Sequence, residues 1–457
     1  GAMRLTALRL LACFSIAGVC VATFGSTRPR YGGTLAVAMH EAFASIEPGA
    51  AAGSDAERLT ALVFDTLVTE ADDGAVQPGL ARAWSSDATF NRWQFWLRRN
   101  VIFHDGQALT PELVAANFAD SISGCRTTAV GDSVVFQCAS PEPALAAEMT
   151  SPLFAVARRD SSGKLQGTGP FVLSEFEPGK RAVFTAFERC WAGRPYLDSI
   201  EVAMGQDFRD QALALQLGRA DVVEIADNER SAGARLVSSA PESLVALLFS
   251  HGASSAGDAR LREAAALAID RAAIAGILLQ GRAEAATSLL PNWISGYAPL
   301  LAEVHDPARA RQLKRQFQAQ ALSLAVASAD PQLRLIAERV ALNLRDVGFN
   351  VQLTSDVQHS DAQLALLPLG SADPEAALAN LAAAVREPLP ELRDDSLDAA
   401  FRAERDLLRG FWVVPIAHLA RTWALSLRVK NWSDRQDGQW RLGDVWLEPP
   451  AQGAPRR

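Results

Sequence analysis

The sequence contains few of the side chains that usually carry metal or nucleophilic chemistry. Its 457 residues include six histidines and five cysteines, and they do not fall at the spacing of a zinc site. A Gly-x-Ser-x-Gly motif is absent, which disfavours a hydrolase. The segment Gly167-Thr168-Gly169 lacks both the third glycine and the lysine of nucleotide-binding loops. We therefore expect no enzymatic activity, no cofactor and no metal.

Positive charge is also scarce. Lysine and arginine together number 44 against 52 acidic residues, which gives a formal net charge of -8, and only four of the 44 are lysines. A mildly acidic chain whose arginines form no basic stripe does not favour nucleic acid as a partner. The hydrophobic fraction of 49% is ordinary for a globular protein, and the length predicts two or three domains.

An apolar stretch near the start indicates export. Arg4 and Arg9 precede residues 10–24, which are almost entirely apolar. Fifteen residues are fewer than the roughly 20 that a membrane-spanning helix needs. We expect residues 1–30 to be a secretory signal peptide, with an uncleaved membrane anchor as the alternative because Arg28 and Arg30 follow the apolar stretch. The protein would then be periplasmic or secreted, or anchored at the membrane through this segment.

Export would place the later cysteines in an oxidising compartment. Cys125 and Cys138 bracket a short, turn-rich stretch with the character of a hairpin, and we expect them to form a disulfide. Cys190 would remain a buried free thiol.

The alternation of apolar patterns predicts an α/β protein. Strands are predicted at 34–39, 92–103 and 411–416, and helices at 58–69 and at 258–279, the latter broken at Asp270-Arg271. Thr110-Pro111 carries the signature of a helix start, and Gly348 that of a helix end after residues 333–347. Strands and helices alternate between 320 and 370, which favours parallel strands in that region.

Several longer segments of the sequence together resemble one family. They are GGTLAVA from Gly32, WQFWLRRNVIFHDGQALTPELV at 93–114, GTGPF at 167–171, WAGRPYLD at 191–198, LQLGRADVVEI at 215–225, LREAAALAIDRAAI at 261–274 and IAERVALNLRDVGFNVQL at 336–353. In this order they resemble the family 5 extracellular solute-binding proteins of ABC importers, the dipeptide, oligopeptide and nickel-binding group. The resemblance runs from Tyr31 to about Glu448.

The resemblance implies an α/β, two-lobed periplasmic-binding-protein fold of type II with an extra subdomain in the first lobe. The first lobe would span 31–243, with the subdomain at about 58–165, and the second lobe 244–411. Residues 412–457 would complete the first lobe. The chain would cross to the second lobe near 244–250 and return near 411–416.

The implied function is the solute-binding component of an ABC importer. It would capture a small solute, peptide-like for this family, between two hinged lobes and deliver it to a permease in the inner membrane. It would be a monomer unless it belongs to a membrane complex. The resemblance assigns ligand contacts to strand ends and loops of both lobes, namely Glu41, Phe43, Glu47, Phe249, His251, Trp293, Tyr297, Ser371, Asp373 and His418. Aromatic rings would stack on the ligand, and carboxylates would meet its cationic groups.

Two alternatives remain at this point. His251 and His418, both assigned to crossings, form an alternative pair for nickel or haem, whereas His104-Asp105 is expected to be a turn. In peptide-binding members an aspartate pairs with the peptide's α-amino group, but its position falls at Gly370 here and Asp373 lies three residues later. The loss of this acid favours an alternative function, a degenerate binding-protein fold that serves as a structural or sensor subunit of a membrane-associated complex.

Overall fold

A computed structural model describes residues 28–49, 55–71, 75–119, 121–122, 124–226, 233–253, 256–295, 305–318, 321–326, 330–369, 374–386, 397–433 and 438–449. The expected signal or anchor segment at 10–24 lies outside these ranges. Within them, no helix combines the length and the apolar character that crossing a bilayer requires.

The described residues form strands and helices that alternate along the chain. The strands of the first half are β1 (Thr34–Ala38), β2 (Val68–Glu70), β3 (Val76–Pro78), β4 (Ala81–Ser86), β5 (Arg92–Leu97), β6 (Cys125–Val130), β7 (Ser133–Cys138), β8 (Arg158–Arg159), β9 (Leu165–Gln166), β10 (Phe171–Glu177), β11 (Arg181–Ala186), β12 (Ser199–Ala203) and β13 (Val222–Ile225). Those of the second half are β14 (Arg235–Ser238), β15 (Ser243–Phe249), β16 (Ala283–Ala285), β17 (Ala321–Val326), β18 (Asn350–Thr354), β19 (Ala362–Pro368), β20 (Val413–Leu419), β21 (Thr422–Leu425), β22 (Val429–Lys430) and β23 (Trp446–Leu447). The helices are α1 (Ala56–Val63), α2 (Pro111–Asn117), α3 (Leu145–Glu148), α4 (Phe208–Gln216), α5 (Ala259–Ala268), α6 (Arg271–Ala273), α7 (Asn292–Ser295), α8 (Pro307–Lys314), α9 (Pro331–Asp346), α10 (Pro374–Val385) and α11 (Leu397–Leu408).

The first large sheet has the strand order β10-β11-β12-β1-β13-β21-β14. Strand β1 lies in its middle and runs parallel to both β12 and β13, while the other neighbours are antiparallel. Leu35 and Val37 are buried on one face of β1, where Leu59 and Leu62 of α1 cover them in the same core. This alternation of buried positions is typical of a strand that packs one face on the core, and it confirms the strand predicted at 34–39.

The second large sheet has the order β16-β20-β15-β19-β17-β18. Its β17 runs parallel to β18 and β19, and α9 connects β17 to β18 as predicted for this region. Asp330 caps α9 by accepting a hydrogen bond from the Gln332 backbone N–H, and Pro331 occupies the first position. Gly348 follows the helix with a φ of +103°, a conformation that favours glycine, which confirms it as the predicted helix end.

A small antiparallel sheet, β4-β5-β7-β6, lies between parts of the first large sheet in the chain. Phe95, Phe103 and Phe136 form its buried core. A disulfide joins Cys125 at the start of β6 to Cys138 at the end of β7, residues that face each other across the hairpin. The predicted turn at His104-Asp105 follows β5, and the thiol of Cys190 is free and buried.

Helix α1 is shorter than the predicted 58–69. It ends at Val63, Phe64 is extended, and a short strand begins at Val68. The chain of Gly167 and Gly169 packs against this point, and a Cβ on Gly167 would lie only 2.0 Å from the Val63 carbonyl oxygen. The Gly169 N–H donates a hydrogen bond to that same carbonyl, so this tertiary contact takes the place of further helix.

The chain leaves the second sheet later than the sequence predicted. Strand β20 pairs with β15 and β16 up to Leu419, so the predicted boundary at 411 moves to after this residue. Trp423, Trp432 and Trp440 pack in the core of the first sheet as expected, whereas Trp412 packs against the core of the second sheet.

Candidate functional site

Two short crossings connect the large sheets, and they lie side by side. The first is residues 239–242, between β14 and β15, and the second is residues 420–421, between β20 and β21. The Ser239 N–H donates to the Arg421 carbonyl oxygen at 3.0 Å, and the Glu242 N–H donates to the Leu419 carbonyl oxygen at 2.9 Å. Two adjacent crossings of this kind are the connection about which two lobes can rotate.

The crossings reach the first sheet at the carboxyl ends of its parallel strands. Thr422 begins β21 opposite Ile225, the last residue of β13. The loops that follow β1 and β12 meet at the same edge, where the Gln206 N–H donates to the Met39 carbonyl oxygen. In open α/β sheets, ligands bind in the crevice outside the carboxyl ends of the strands. We therefore take this edge, together with the crossings, as the candidate site and call it the junction.

Arg58 of α1 joins the body of the first sheet to the first crossing. Its Nη2 lies 2.8 and 2.7 Å from the two carboxylate oxygens of Glu242, and its Nη1 lies 2.6 Å from Asp55 Oδ1. Gly438 covers this pair so closely that a Cβ there would lie 2.9 Å from both Arg58 Nη2 and Glu242 Oε2. Burial lowers the pKa of Arg58, but Glu242 and Asp55 outweigh it and leave the pKa raised, so the guanidinium is charged.

Arg421 of the second crossing makes a matching set of contacts. Its Nη1 pairs with Glu224 of β13, and its Nε lies 3.5 Å from Asp55 Oδ1 and 3.6 Å from Glu242 Oε1. The other oxygen of Glu224 accepts a hydrogen bond from the His40 N–H at 2.9 Å. Both arginines therefore meet the same buried carboxylate, Asp55, which is 1% exposed.

The junction holds more negative than positive side chains. Glu41, the fourth carboxylate, accepts a hydrogen bond from the Asp55 N–H at 2.9 Å. Among the described residues in these contacts, four carboxylates meet two guanidiniums, an excess of two negative charges when all of them are ionised. Burial raises the pKa of Glu41, and the charge of Asp55 raises it further, whereas Arg421 and Arg58 lower it. Burial also raises the pKa of Glu224 despite the nearby Arg421. A positively charged group would relieve this excess.

The three ligand contacts that the resemblance assigned to the loop after β1 lie in three different environments. Glu41 belongs to the junction. Phe43 is buried in the core of the first sheet, where no ligand could stack on it without repacking that core. Glu47 forms an ion pair with Arg159 at 2.7 Å and lines a separate cavity of about 220 Å³ beside α2.

Phe249 and His251 do not lie at a crossing, which corrects that prediction. Strand β15 starts at the first crossing and ends at Phe249, so its seven residues place Phe249 roughly 20 Å away. Phe249 packs in the core of the second sheet, and the His251 ring lies 4.0 Å from that of Trp412. Both residues line a remote groove of about 720 Å³.

His418 lies at the crossing end of β20, but it is sealed in the interior. It is 3% exposed, and its Nε2–H donates to the Leu289 carbonyl oxygen at 3.0 Å. Burial lowers the pKa of His418 to about 4, so the ring is neutral at neutral pH. His418 is thus buried and hydrogen-bonded, and it lies far from His251. These two histidines therefore do not form the pair that would bind nickel or haem, which corrects that alternative. Among the described residues, no three His, Cys, Asp or Glu side chains converge as metal ligands.

Trp293 reaches the junction from the second sheet. Its Nε1–H donates to the carbonyl oxygen of Pro241 in the first crossing at 2.7 Å. The preceding segment is held by Glu404 of α11, whose Oε1 accepts from the Leu290 N–H at 2.8 Å. Burial raises the pKa of Glu404 to about 7. Tyr297, Ser371 and Asp373, and also Gly370, lie outside the described residues.

The sequence reasoning missed most of the charged residues of the junction, namely Asp55, Arg58, Glu224, Glu242 and Arg421. One local signal was available, since Glu224 interrupts a strand whose four residues are all buried. A buried carboxylate of this kind requires a partner, although the sequence does not identify it as Arg421.

Comparison with known proteins gives a consistent result. The sequence model described as "Bacterial extracellular solute-binding proteins, family 5 Middle" matches residues 75–366. The nickel-binding protein NikA of Staphylococcus aureus is 24% identical over 246 residues, which cover 49% of this chain and 49% of that protein. The dipeptide-binding protein of Escherichia coli is 21% identical over 292 residues, 53% of this chain and 55% of that protein. The chain thus spans about half the length of these curated relatives.

Solved structures match over a longer range. The periplasmic binding protein DppA of Helicobacter pylori, solved in complex with the peptide STSA, has a TM-score of 0.78 at 18% identity and covers 92% of this chain and 99% of its own. This likeness confirms the predicted two-lobed α/β fold.

Proposed function

Because this chain belongs to the family 5 bacterial extracellular solute-binding proteins, we propose that it is the solute-binding component of an ABC importer. It would act outside the cytoplasmic membrane, as members of this family do, and present its closed, loaded form to a membrane permease. No bond of the solute would be made or broken. We propose that the protein does this as a monomer.

The observation that carries this proposal is the pair of adjacent crossings at the carboxyl edge of the first sheet. A ligand in the crevice there would touch the first sheet and, once the lobes close, the second. Such a ligand shifts the open–closed equilibrium by the difference between its affinities for the two forms. Trp293 of α7, which packs on the second sheet and is attached to the first crossing through Pro241, is the residue of that lobe that we propose contacts it.

The charge of the junction favours a ligand that carries a positive group. In the described part of the chain, the close donor to Glu41 Oε2 is the Asp55 N–H, and burial of this carboxylate raises its pKa, so a cationic neighbour would stabilise its charged form. A cationic group beside Glu41 would balance part of the excess negative charge. Amines of small peptides and cationic metal complexes both satisfy this condition, and relatives are named for dipeptides and for nickel.

Calorimetry of the purified protein tests the proposal. The panel consists of di- and tripeptides with free and with acetylated amino ends, nickel with and without histidine, and neutral sugars. We expect binding by a member with a cationic group, together with a smaller radius of gyration in X-ray scattering as the lobes close. Binding by none of them, or binding without compaction, would contradict the proposal.

The alternative of a structural or sensor subunit rested on the missing acid at Gly370, which lies outside the described residues. Membership of the family supports the solute-binding function over this alternative. Co-purification from membranes, with a permease or with other proteins, separates the two functions.

A further inference from the structure

A second cleft lies in the first half of the chain, on the small sheet. Three arginines, a buried valine and a tryptophan line it, namely Arg82, Arg98, Arg99, Val101 and Trp191. Its volume is about 480 Å³, within the range of small-ligand pockets. None of its residues belongs to the junction, so the proposed solute binding does not explain this cleft.

Arg98 is held in place from two sides. Its Nε–H donates to the Gly79 carbonyl oxygen at 2.6 Å, and its Cζ lies 4.9 Å from the centre of the Trp191 ring. Trp191 is fixed in turn, because its Nε1–H donates to Asp65 Oδ2 at 2.8 Å. Gly79 permits no side chain, since a Cβ there would lie 2.6 Å from the Thr66 carbonyl oxygen. In the described part of the chain, neither Nη atom of Arg98 has a hydrogen-bond partner, although its Nε donates to Gly79 and one face of its guanidinium lies against Trp191.

The other two arginines reach the cleft from the strand ends. Arg82 is the extra residue of a β-bulge, because the register between β4 and β5 shifts between Ala81 and Ala83. Bulges of this kind re-aim a side chain and are frequent next to functional sites. Arg82 pairs with Asp132 at 2.9 Å, both side chains being about half exposed. Arg99 is exposed and makes no ion pair with any described residue.

Among the described residues, the cleft lining thus carries three guanidiniums and no carboxylate, and the one ion-pair partner of these arginines is Asp132, which leaves an excess of two positive charges on a chain whose net charge is -8. Guanidinium groups bind phosphate through paired N–H donors in one plane, and a stacked, fixed guanidinium loses less freedom when it does so. A dianionic phosphate matches the excess charge, whereas a single carboxylate leaves half of it unbalanced. We propose that this cleft binds a phosphate group, with Arg98 as the fixed anchor and with Arg82 and Arg99 completing the charge.

Such a phosphate group could belong to a phosphorylated solute, as a dianionic monoester, or to the headgroup of a phospholipid, as a monoanionic diester that leaves one of the two positive charges unbalanced. Two arms of one experiment distinguish these sources, and both use the full chain. The first titrates inorganic phosphate and follows it by calorimetry and ³¹P NMR. The second sediments the protein with vesicles of phosphatidylglycerol or of phosphatidylcholine and measures the difference in the bound fraction. This difference in the bound fraction is then compared between variants. Because every variant carries the same N-terminal segment, any vesicle binding by that segment cancels in the comparison.

The informative variant is the double substitution Arg82→Ala and Arg99→Ala, because both side chains are exposed and their loss leaves the packing intact. The matched control is Arg92→Ala, an exposed arginine at the start of β5 that does not line the cleft. We expect the double variant to weaken phosphate binding at least about tenfold, since each lost hydrogen bond to a charged group costs about that factor. We expect the control to change it less than twofold.

Each outcome decides the matter. Phosphate binding that the double variant loses supports the proposal with a solute as the source. Phosphatidylglycerol-selective sedimentation that the double variant loses supports it with a lipid headgroup. Absence of both, or binding that the double variant retains, overturns it. The junction plays no part in these measurements, so their failure leaves the proposed solute binding untouched.

Discussion

Arg58 Nη2 lies 2.7 Å from Glu242 Oε2, and this contact joins a helix of the first sheet's core to the segment by which the chain enters the second sheet. The Arg58 side chain is 6% exposed and the Glu242 side chain 28%. Buried ion pairs give little net stability, but they set geometry, and removal of one partner leaves an unpaired charge. We infer that this pair holds the first crossing in a fixed position on α1.

Replacement of Glu242 by Gln should therefore destabilise the protein. We expect a loss of about 2–3 kcal/mol, below the roughly 3–5 kcal/mol of fully buried pairs because Glu242 is partly exposed. Urea unfolding measures the change. The matched control is Glu177→Gln, which removes a carboxylate from the exposed pair with Lys180 and should cost less than about 1 kcal/mol. Equal effects of the two substitutions would show that the Arg58 contact has no special role.

Replacement of Glu41 by Gln should weaken ligand binding without unfolding the protein. The amide oxygen can still accept the Asp55 N–H, while the repulsion between the two carboxylates disappears. For the tightest cationic ligand of the calorimetric panel, we expect a loss of about tenfold, the size of one charge-assisted contact. Glu47→Gln, in the same loop but paired with Arg159, should leave the affinity unchanged. A loss of the same size in both variants would remove Glu41 from the binding site.

Glu404 and His418 should give the protein opposing pH dependences. The pKa of Glu404 is raised to about 7 in the folded protein, whereas the unfolded chain releases this proton near pH 4.5. The protonated carboxyl therefore stabilises the folded protein at low pH, and this contribution falls as pH rises from about 4.5 to 7. The pKa of His418 is lowered to about 4, so the unfolded chain binds a proton first, and its contribution falls as pH drops from about 6.5 to 4. Each effect amounts to about 3 kcal/mol over its range.

Single substitutions should reveal these two slopes. In Glu404→Gln, the free energy of unfolding should rise steeply between pH 4.5 and 6.5, because only the His418 effect remains. In His418→Gln, it should fall over the same range. The parent protein should show a flatter profile, since the two effects offset each other. Parallel profiles for all three proteins, measured by urea unfolding at each pH, would contradict this account.

The disulfide between Cys125 and Cys138 should stabilise the small sheet by restricting the unfolded chain. The cysteines are 13 residues apart, and a loop of this size contributes about 3 kcal/mol in the chain-entropy description. The variant with alanine at both positions should lose about that amount under non-reducing conditions. The control is Cys190→Ala, which removes a free buried thiol and leaves the disulfide in place. This variant should still lose stability when a reductant is added. A double variant as stable as the parent would show that the bridge is dispensable.

Much of the fold could be predicted because its signals are local. Strand β1 follows from a short run of apolar side chains, and the end of α9 from a terminating Gly348. The end of α1 could not be predicted, because the contact of Gly167 and Gly169 with Val63 comes from a segment about a hundred residues later. For the same reason, the pairing of β20 up to Leu419 was invisible, since apolar strands look alike whichever sheet they join.

The amino-acid sequence by itself determined the class of fold, the family and the order of the segments, because periodicity, caps and turn residues act over a few residues. Only the tertiary structure decided which charges meet. Arg58 pairs with a carboxylate 184 residues away, and Arg421 with one 197 residues away. Electrostatic interactions depend on distance in space and on burial, and neither quantity is encoded in the spacing of residues along the chain. Likewise, Phe249 and His418 both lie near the carboxyl ends of apolar strands, but the direction of each strand placed one far from the crossings and the other beside them.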